Sequence, residues 1–168
     1  MVDILQAKTD AQLNDARSLM RAFIAWHRER HVEDADLIDS YFDAVEFEQE
    51  LADLPAKYAP PTGSLLIAYD AGQPAGCVAL RDLGGQICEM KRMFVPEAFR
   101  GSGIGRALAA QILAEARSAG YQRMRLDTSK RQNEAIRLYE SIGFKRIAPY
   151  YPVTDDLKDW LVFLETDL

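Results

Sequence analysis

The stretch that most constrains this chain runs from Glu89 to Ala116, EMKRMFVPEAFRGSGIGRALAAQILAEA. Met90 to Val95 is an apolar, β-compatible run closed by Pro96, which predicts a strand ending there. Arg100-Gly101-Ser102-Gly103-Ile104-Gly105-Arg106 follows as a tight loop. Ile104, Leu108, Ile112 and Ala116 then recur at helical spacing. Strand, glycine loop and helix start together present several unpaired backbone N–H groups, the positive end of a helix dipole and two arginines. A phosphate or pyrophosphate fits such a place, and glycine lets it approach the backbone.

Three kinds of phosphate loop compete for this pattern. A dinucleotide fingerprint needs glycine where Arg106 stands, and a triphosphate loop needs Gly-Lys-Ser/Thr at its end. Neither condition is met. The remaining pattern, R-x-x-G-x-G after a strand ending in valine, resembles the coenzyme A pyrophosphate loop of the GNAT N-acetyltransferase family. A second stretch strengthens the likeness: Ala135 to Phe144, AIRLYESIGF, is similar to that family's A-x-x-L-Y-x-x-x-G-F helix. The two motifs cover residues 87 to 147. K-R-M-F-V, L-D-T and P-Y-Y resemble small bacterial members of unassigned substrate.

The resemblance implies acetyl transfer from acetyl-CoA to a primary amine by direct attack in a ternary complex. It implies that the strand before the loop splays from a parallel neighbour, leaving the backbone of Met93, Phe94 and Val95 to pair with pantetheine. The Met93 N–H then becomes the donor to the developing oxyanion, and Arg100, Gly101, Ser102, Gly103, Ile104, Gly105 and Arg106 hold the pyrophosphate. Tyr139 takes the place of the family's general acid beside the cofactor sulfur, with packing in the core as the alternative. Glu89 stands where histone-type members carry a glutamate base. A salt bridge to Lys91 or Arg92 is the alternative there, and water the alternative base. Many relatives have asparagine where this chain has Gln132, with Asn133 next. Either could contact the cofactor, and Asn133 could instead cap the following helix.

The rest of the chain frames these motifs. Val2–Gln6 reads as a first strand, followed by a helix capped at Thr9 or Asp10 and running to about Arg30. A second helix is expected over Asp39 to Leu51, ended by Pro55. Ser64–Tyr69 and Pro74–Leu80 form a hairpin around Asp70-Ala71-Gly72-Gln73. Gly84-Gly85 turns into the strand carrying Glu89. After Gly120 come a strand at Tyr121–Asp127, a helix at Asn133–Ile142, and final strands at Phe144–Ile147 and Trp160–Glu165. The expected fold is a mixed, mostly antiparallel α/β sheet of six or seven strands flanked by about four helices, in one domain over residues 1–168.

Composition narrows the function classes. A net charge of −6 argues against a nucleic-acid binder. No apolar run is long enough to cross a bilayer, and the first ten residues lack the pattern of a secretory signal, so a cytoplasmic protein is expected. Cys77 and Cys88 read as reduced, buried thiols. His27 and His31, four apart on a helix, read as surface residues rather than a metal site, so no metal is expected. Residues 33 to 53 carry nine acidic residues and no Lys or Arg, while the glycine loop and its strand carry Lys91, Arg92, Arg100 and Arg106. The acidic stretch reads as a solvated helix face, or as an attractor for a cationic amine. Tyr150, Tyr151 and Trp160 are candidates for the acceptor pocket or a homodimer contact, with core packing the default for Trp160. Rival readings are a non-catalytic acyl-CoA-binding module and an interaction protein that binds no CoA.

Overall fold

A computed structural model describes residues 1–168. Helices are α1 (Asp10–Arg30), α2 (Ala35–Tyr41), α3 (Ala44–Ala52), α4 (Leu54–Lys57), α5 (Ile104–Ser118), α6 (Asn133–Ser141) and α7 (Asp155–Trp160). Strands are β1 (Val2–Gln6), β2 (Ser64–Asp70), β3 (Gln73–Gly84), β4 (Ile87–Phe94), β5 (Arg123–Ser129), β6 (Lys145–Ile147) and β7 (Leu161–Asp167). They form one seven-stranded sheet in the order β1-β2-β3-β4-β5-β7-β6. All neighbours are antiparallel except β4 and β5, which the α5 crossover makes parallel. The expected mixed sheet is therefore present.

Two apolar layers clamp the sheet. On one face α5 buries Ile104, Leu108, Ile112 and Ala116 against Leu66, Val78, Leu80 and Leu126. On the other, α1 buries Leu13, Ala16, Met20 and Ile24 against Ile67, Cys77 and Phe163. Thr9 starts α1 with a capping box: its hydroxyl accepts from the Gln12 N–H, and the Gln12 side chain accepts from the Thr9 N–H.

Several boundaries differ from the sequence expectation, each for a local reason. The single helix expected over Asp39–Leu51 is two, because Asp43 interrupts it. The Asp43 carboxylate accepts from the N–H groups of Val45 and Glu46 at 3.1 and 3.0 Å, starting α3 afresh. Pro55 opens α4 instead of merely ending α3, since a first-turn proline sacrifices no helical hydrogen bond. Trp160 closes α7 rather than starting the last strand, and α7 was not anticipated. Seven helices stand in place of about four.

The β4–β5 pairing holds the site. It covers only Ile87↔Arg123, Cys88↔Met124 and Glu89↔Arg125. Beyond Glu89 the strands part, and β4 has no partner on that side. On its other side β4 bulges: Arg92 and Met93 together oppose Val78, between the pairs Cys77↔Phe94 and Ala79↔Lys91. Arg92 sits at φ +58°, rarely occupied by a side-chain-bearing residue. The Cys77 thiol donates to the Arg92 carbonyl at 3.3 Å across this bulge. Both cysteines are buried and free, as expected.

Candidate active site

The glycine loop forms the rim of a groove of about 430 Å³ between α1, β4, α5 and α6. Gly101 and Gly103 lie at φ +80° and +85°, so the turn that aims the start of α5 at the groove requires residues tolerant of left-handed backbone. Gly105 is helical. A Cβ there would meet Leu138 and Val95 only at ordinary contact distances, so its small size serves the open groove rather than internal packing. Arg100 is fixed at its root: Nε donates to the Val95 carbonyl at 2.9 Å, and the guanidinium lies 4.3 Å from the Trp26 ring centroid. Arg106 reaches across to Ser141 Oγ at 3.0 Å. Ser102 donates to the Phe99 carbonyl at 2.6 Å, so its side chain completes the loop. Ile104 is buried in the core beneath. Arg30, Arg131 and Arg137 also border the groove. The sequence reading missed these three because they come from α1, α6 and the turn before α6.

The groove continues inward. Phe23, Met93 and Gln132 line both it and a second, smaller cavity of about 60 Å³ that lies between the parted strands. This inner cavity is walled by Met90–Met93 of β4 and Leu126–Ser129 of β5, and closed by side chains from α1, α2, α6 and α7. Phe94 packs beneath, its ring 5.3 Å from that of Phe23. Gln132 precedes α6 without capping it, and its buried amide nitrogen has no partner in the protein. Asn133 is the first helical residue and makes no cap, contrary to the capping expectation, yet it lines the groove. The unsatisfied donor at the junction marks Gln132 as the better placed of the two to hold a ligand.

Tyr139 borders the inner cavity from α6 and is 5% exposed. Burial alone pushes its phenol well above the ordinary value, with no charged neighbour, so it carries its proton at neutral pH. Its ring also packs edge-on against Phe144, so it belongs to the core and the cavity wall together.

Glu89 is 1% exposed and fully engaged. Arg81 Nε donates to Oε1 at 2.7 Å, the Tyr150 hydroxyl donates to Oε2 at 2.5 Å, and Lys91 stands 3.8 Å from Oε1. It does not reach the inner cavity's wall. The carboxylate that does is Asp127 on β5, which accepts from Tyr41 at 2.9 Å and also from Tyr151. Consecutive tyrosines of the loop before α7 therefore donate to carboxylates on the two parted strands. The sequence reading grouped Tyr150 and Tyr151 as pocket candidates but assigned no partner and passed over Asp127.

The acidic stretch is mostly the solvated face expected: seven of its nine carboxylates are exposed, and only Asp34 and Glu50 are buried. Glu48 pairs with Arg21, and Asp39 with Arg28. Asp34 takes the Arg131 guanidinium at 2.9 Å and the Trp160 indole at 3.0 Å. Glu50 is buried and takes Arg92 at 2.7 Å and Lys57 at 2.6 Å. Burial by itself raises the Glu50 carboxyl, but the bonds and charge of Arg92 and Lys57 outweigh it and bring it down to about 2. His27 is buried against Phe23 and Trp160, not on the surface as expected. Burial lowers it, so it is neutral at physiological pH. No three metal-ligating side chains stand together.

A sequence profile of the acetyltransferase (GNAT) family matches residues 20–144, more than half of the chain. An uncharacterised N-acetyltransferase of Schizosaccharomyces pombe is 43% identical over 106 residues, 62% of this chain and 65% of that protein. The N-acetylaspartate synthetase of Danio rerio is 36% identical over 113 residues, 66% of this chain and 40% of that protein. The chain thus spans less than two thirds of either relative's length. Among solved structures, one from Klebsiella pneumoniae described as an acyl-CoA N-acyltransferase superposes with a TM-score of 0.74 at 28% identity, over 100% of this chain and 98% of that one. The PaiA N-acetyltransferase of Thermoplasma acidophilum, solved with coenzyme A, gives a TM-score of 0.76 at 15% identity over 100% of this chain and 99% of that one, a likeness of fold.

Proposed function

This chain belongs to the acetyltransferase (GNAT) family, and from that premise we propose that it transfers the acetyl group of acetyl-CoA directly to a primary amine within one ternary complex. One observation carries the reading: the unpartnered edge of β4 beyond Glu89 joins the glycine loop to an inner cavity bordered by a proton donor and a carboxylate. A pantetheine arm adds to that edge as an extra strand while the pyrophosphate sits at the start of α5. The acetyl head then reaches the inner cavity.

The chemistry needs few groups. The neutral amine nitrogen attacks the thioester carbon, a C–N bond forms, and the carbonyl oxygen becomes anionic. The Met93 N–H at the bulge donates to that oxygen in this scheme. The C–S bond then breaks, and Tyr139 gives its proton to the departing thiolate. The nitrogen loses its proton to Asp127, directly or through water, and from there it returns to Tyr139. Glu89 acts from behind the cavity, holding Tyr150 and so the loop that carries Tyr151. No catalytic metal enters this scheme.

Isothermal titration with acetyl-CoA tests the reading, on the wild type and on Gly103→Trp. Binding present in the first and abolished in the second is expected, with CoA thiol released when amines are added. Asp127→Asn should then slow turnover more than Glu89→Gln does. A folded wild type that binds no acetyl-CoA overturns the proposal, and binding without CoA release in a broad amine screen leaves an acyl-CoA-binding module instead.

A further inference from the structure

Lys91 is the cation that the proposed reaction leaves without work. It lines the inner cavity from β4 as Asp127 does from β5, within reach of that carboxylate's charge, and its side chain is 15% exposed. Its only ionic neighbour within 4.0 Å is Glu89 at 3.8 Å, and Arg81 already holds the same oxygen at 2.7 Å. The Lys91 ammonium makes no hydrogen bond to the protein. Nearby Arg92 adds positive charge, answered by Glu50. Around the parted strands the cations Lys57, Arg81, Lys91 and Arg92 face the anions Glu50, Glu89 and Asp127. Glu50 answers Lys57 and Arg92, and Glu89 answers Arg81, so Lys91 and Asp127 are left without a bonded partner of opposite charge, where water is scarce. A buried charge is costly unless a partner of opposite sign meets it. Burial first, and then Arg92, bring the Lys91 ammonium down to about 8, as expected of a cation short of a counter-ion.

Asp127 shows the complementary condition. Both of its hydroxyl partners are neutral phenols, so it is an anion in the same cavity without a bonded cation. A ligand that carries an amino group and a carboxylate on the same carbon satisfies both walls at once. We infer that the acceptor is an α-amino acid, with its carboxylate on Lys91 and its amino group turned toward Asp127 and the thioester. A volume of about 60 Å³ suits this arrangement, because only the amino-acid head has to enter while its side chain stays outside. This inference rests on the proposed acetyl transfer and names its acceptor class.

The test is release of CoA thiol by the wild type with acetyl-CoA and the common L-amino acids, each against its own amide. The amide keeps the shape and loses the negative charge. Its amine is also the weaker base and more often neutral, so chemistry alone would favour it. The expected result is a kcat/KM for the best acid roughly 10–100-fold above its amide, the size of one charged hydrogen bond in a site closed to water. Lys91→Gln should collapse that ratio toward one through KM. Lys91→Arg, which keeps a cation but cannot act as a base, should retain most of it. Amides used as well as acids overturn the inference and leave acetyl transfer standing. So does an equal fall in kcat for acid and amide in Lys91→Gln, which assigns Lys91 to the oxyanion or to packing. Turnover of other amines with no α-amino acid used also overturns it. Failure of the wild type to bind acetyl-CoA overturns the underlying reading instead.

Discussion

The two sides of the parted strands are built by opposite means. The groove side is made largely of backbone: a loop whose turn depends on glycines at 101 and 103, a helix start, and an unpaired strand edge. The inner-cavity side is made of side chains tied across long sequence distances. Tyr41 reaches Asp127, 86 residues away, and Trp160 reaches Asp34 across 126. The first kind of site accepts a ligand through groups every residue possesses. The second can be respecified by exchanging a few side chains without disturbing the sheet, which lets one scaffold keep its donor and change its acceptor.

That contrast makes side-chain truncation severe on one side and mild on the other. The largest effect should come from Glu50→Gln. It leaves the buried Arg92 guanidinium uncompensated beneath the bulge, at a cost of about 3–5 kcal/mol, read as a fall in thermal midpoint. The Glu50 carboxyl is held below its unfolded value, so its contribution is fully present above about pH 4.5 and is lost as pH falls toward 2. The stability gap between wild type and Glu50→Gln should therefore be constant from pH 7 to 5 and close below that. If acid does not narrow the gap, the ion pair is not what holds the bulge.

Gly103→Val comes next. It places a β-branched residue at φ +85° and a side chain in the proposed pyrophosphate site, and should weaken acetyl-CoA binding by at least ~100-fold by titration while the fold survives. Tyr139→Phe should lower kcat by about 100-fold, in the range typical of a lost general acid, with KM for acetyl-CoA within about twofold. An unchanged kcat would return Tyr139 to packing alone. The smallest effect belongs to Ser102→Ala, which loses an exposed bond to the Phe99 carbonyl and should change acetyl-CoA affinity by less than about twofold. A large Ser102 effect would break the contrast, showing that the loop binds through side chains after all.

Legibility followed the same division. The strand, loop and helix from Met90 to Ala116 could be read because glycine spacing and 3.6-residue periodicity are local signals. Helix α6 was readable through Leu138-Tyr139 and Gly143 for the same reason. Asp127 was not, since an aspartate inside a strand carries no mark of the tyrosines that will meet it. The acidic run from 33 to 53 concealed two exceptions in a related way. Most of it is the solvated face it looked like, but Asp34 and Glu50 are buried on Arg131 and Arg92, partners that lie outside the window. The break at Asp43 was within reach: an aspartate followed by Ala-Val-Glu is a helix start, but continuous apolar spacing across Phe42 and Val45 hid it.

The contact between Arg100 and Trp26 gives the protein an optical reporter of its own. Of two tryptophans, only Trp26 borders the glycine-loop groove, with the Arg100 guanidinium 4.3 Å from its ring centroid. Trp160 lies buried against Asp34 at the far end of the inner cavity. A phosphate that draws Arg100 away from the indole changes the field felt by its excited state. Occupation of the loop should therefore register in intrinsic emission at equilibrium and in a stopped-flow trace, with no label attached. Because Trp26 rides on α1, the helix that also roofs the inner cavity through Phe23 and His27, the same signal should time how the two ends of the ligand settle into place.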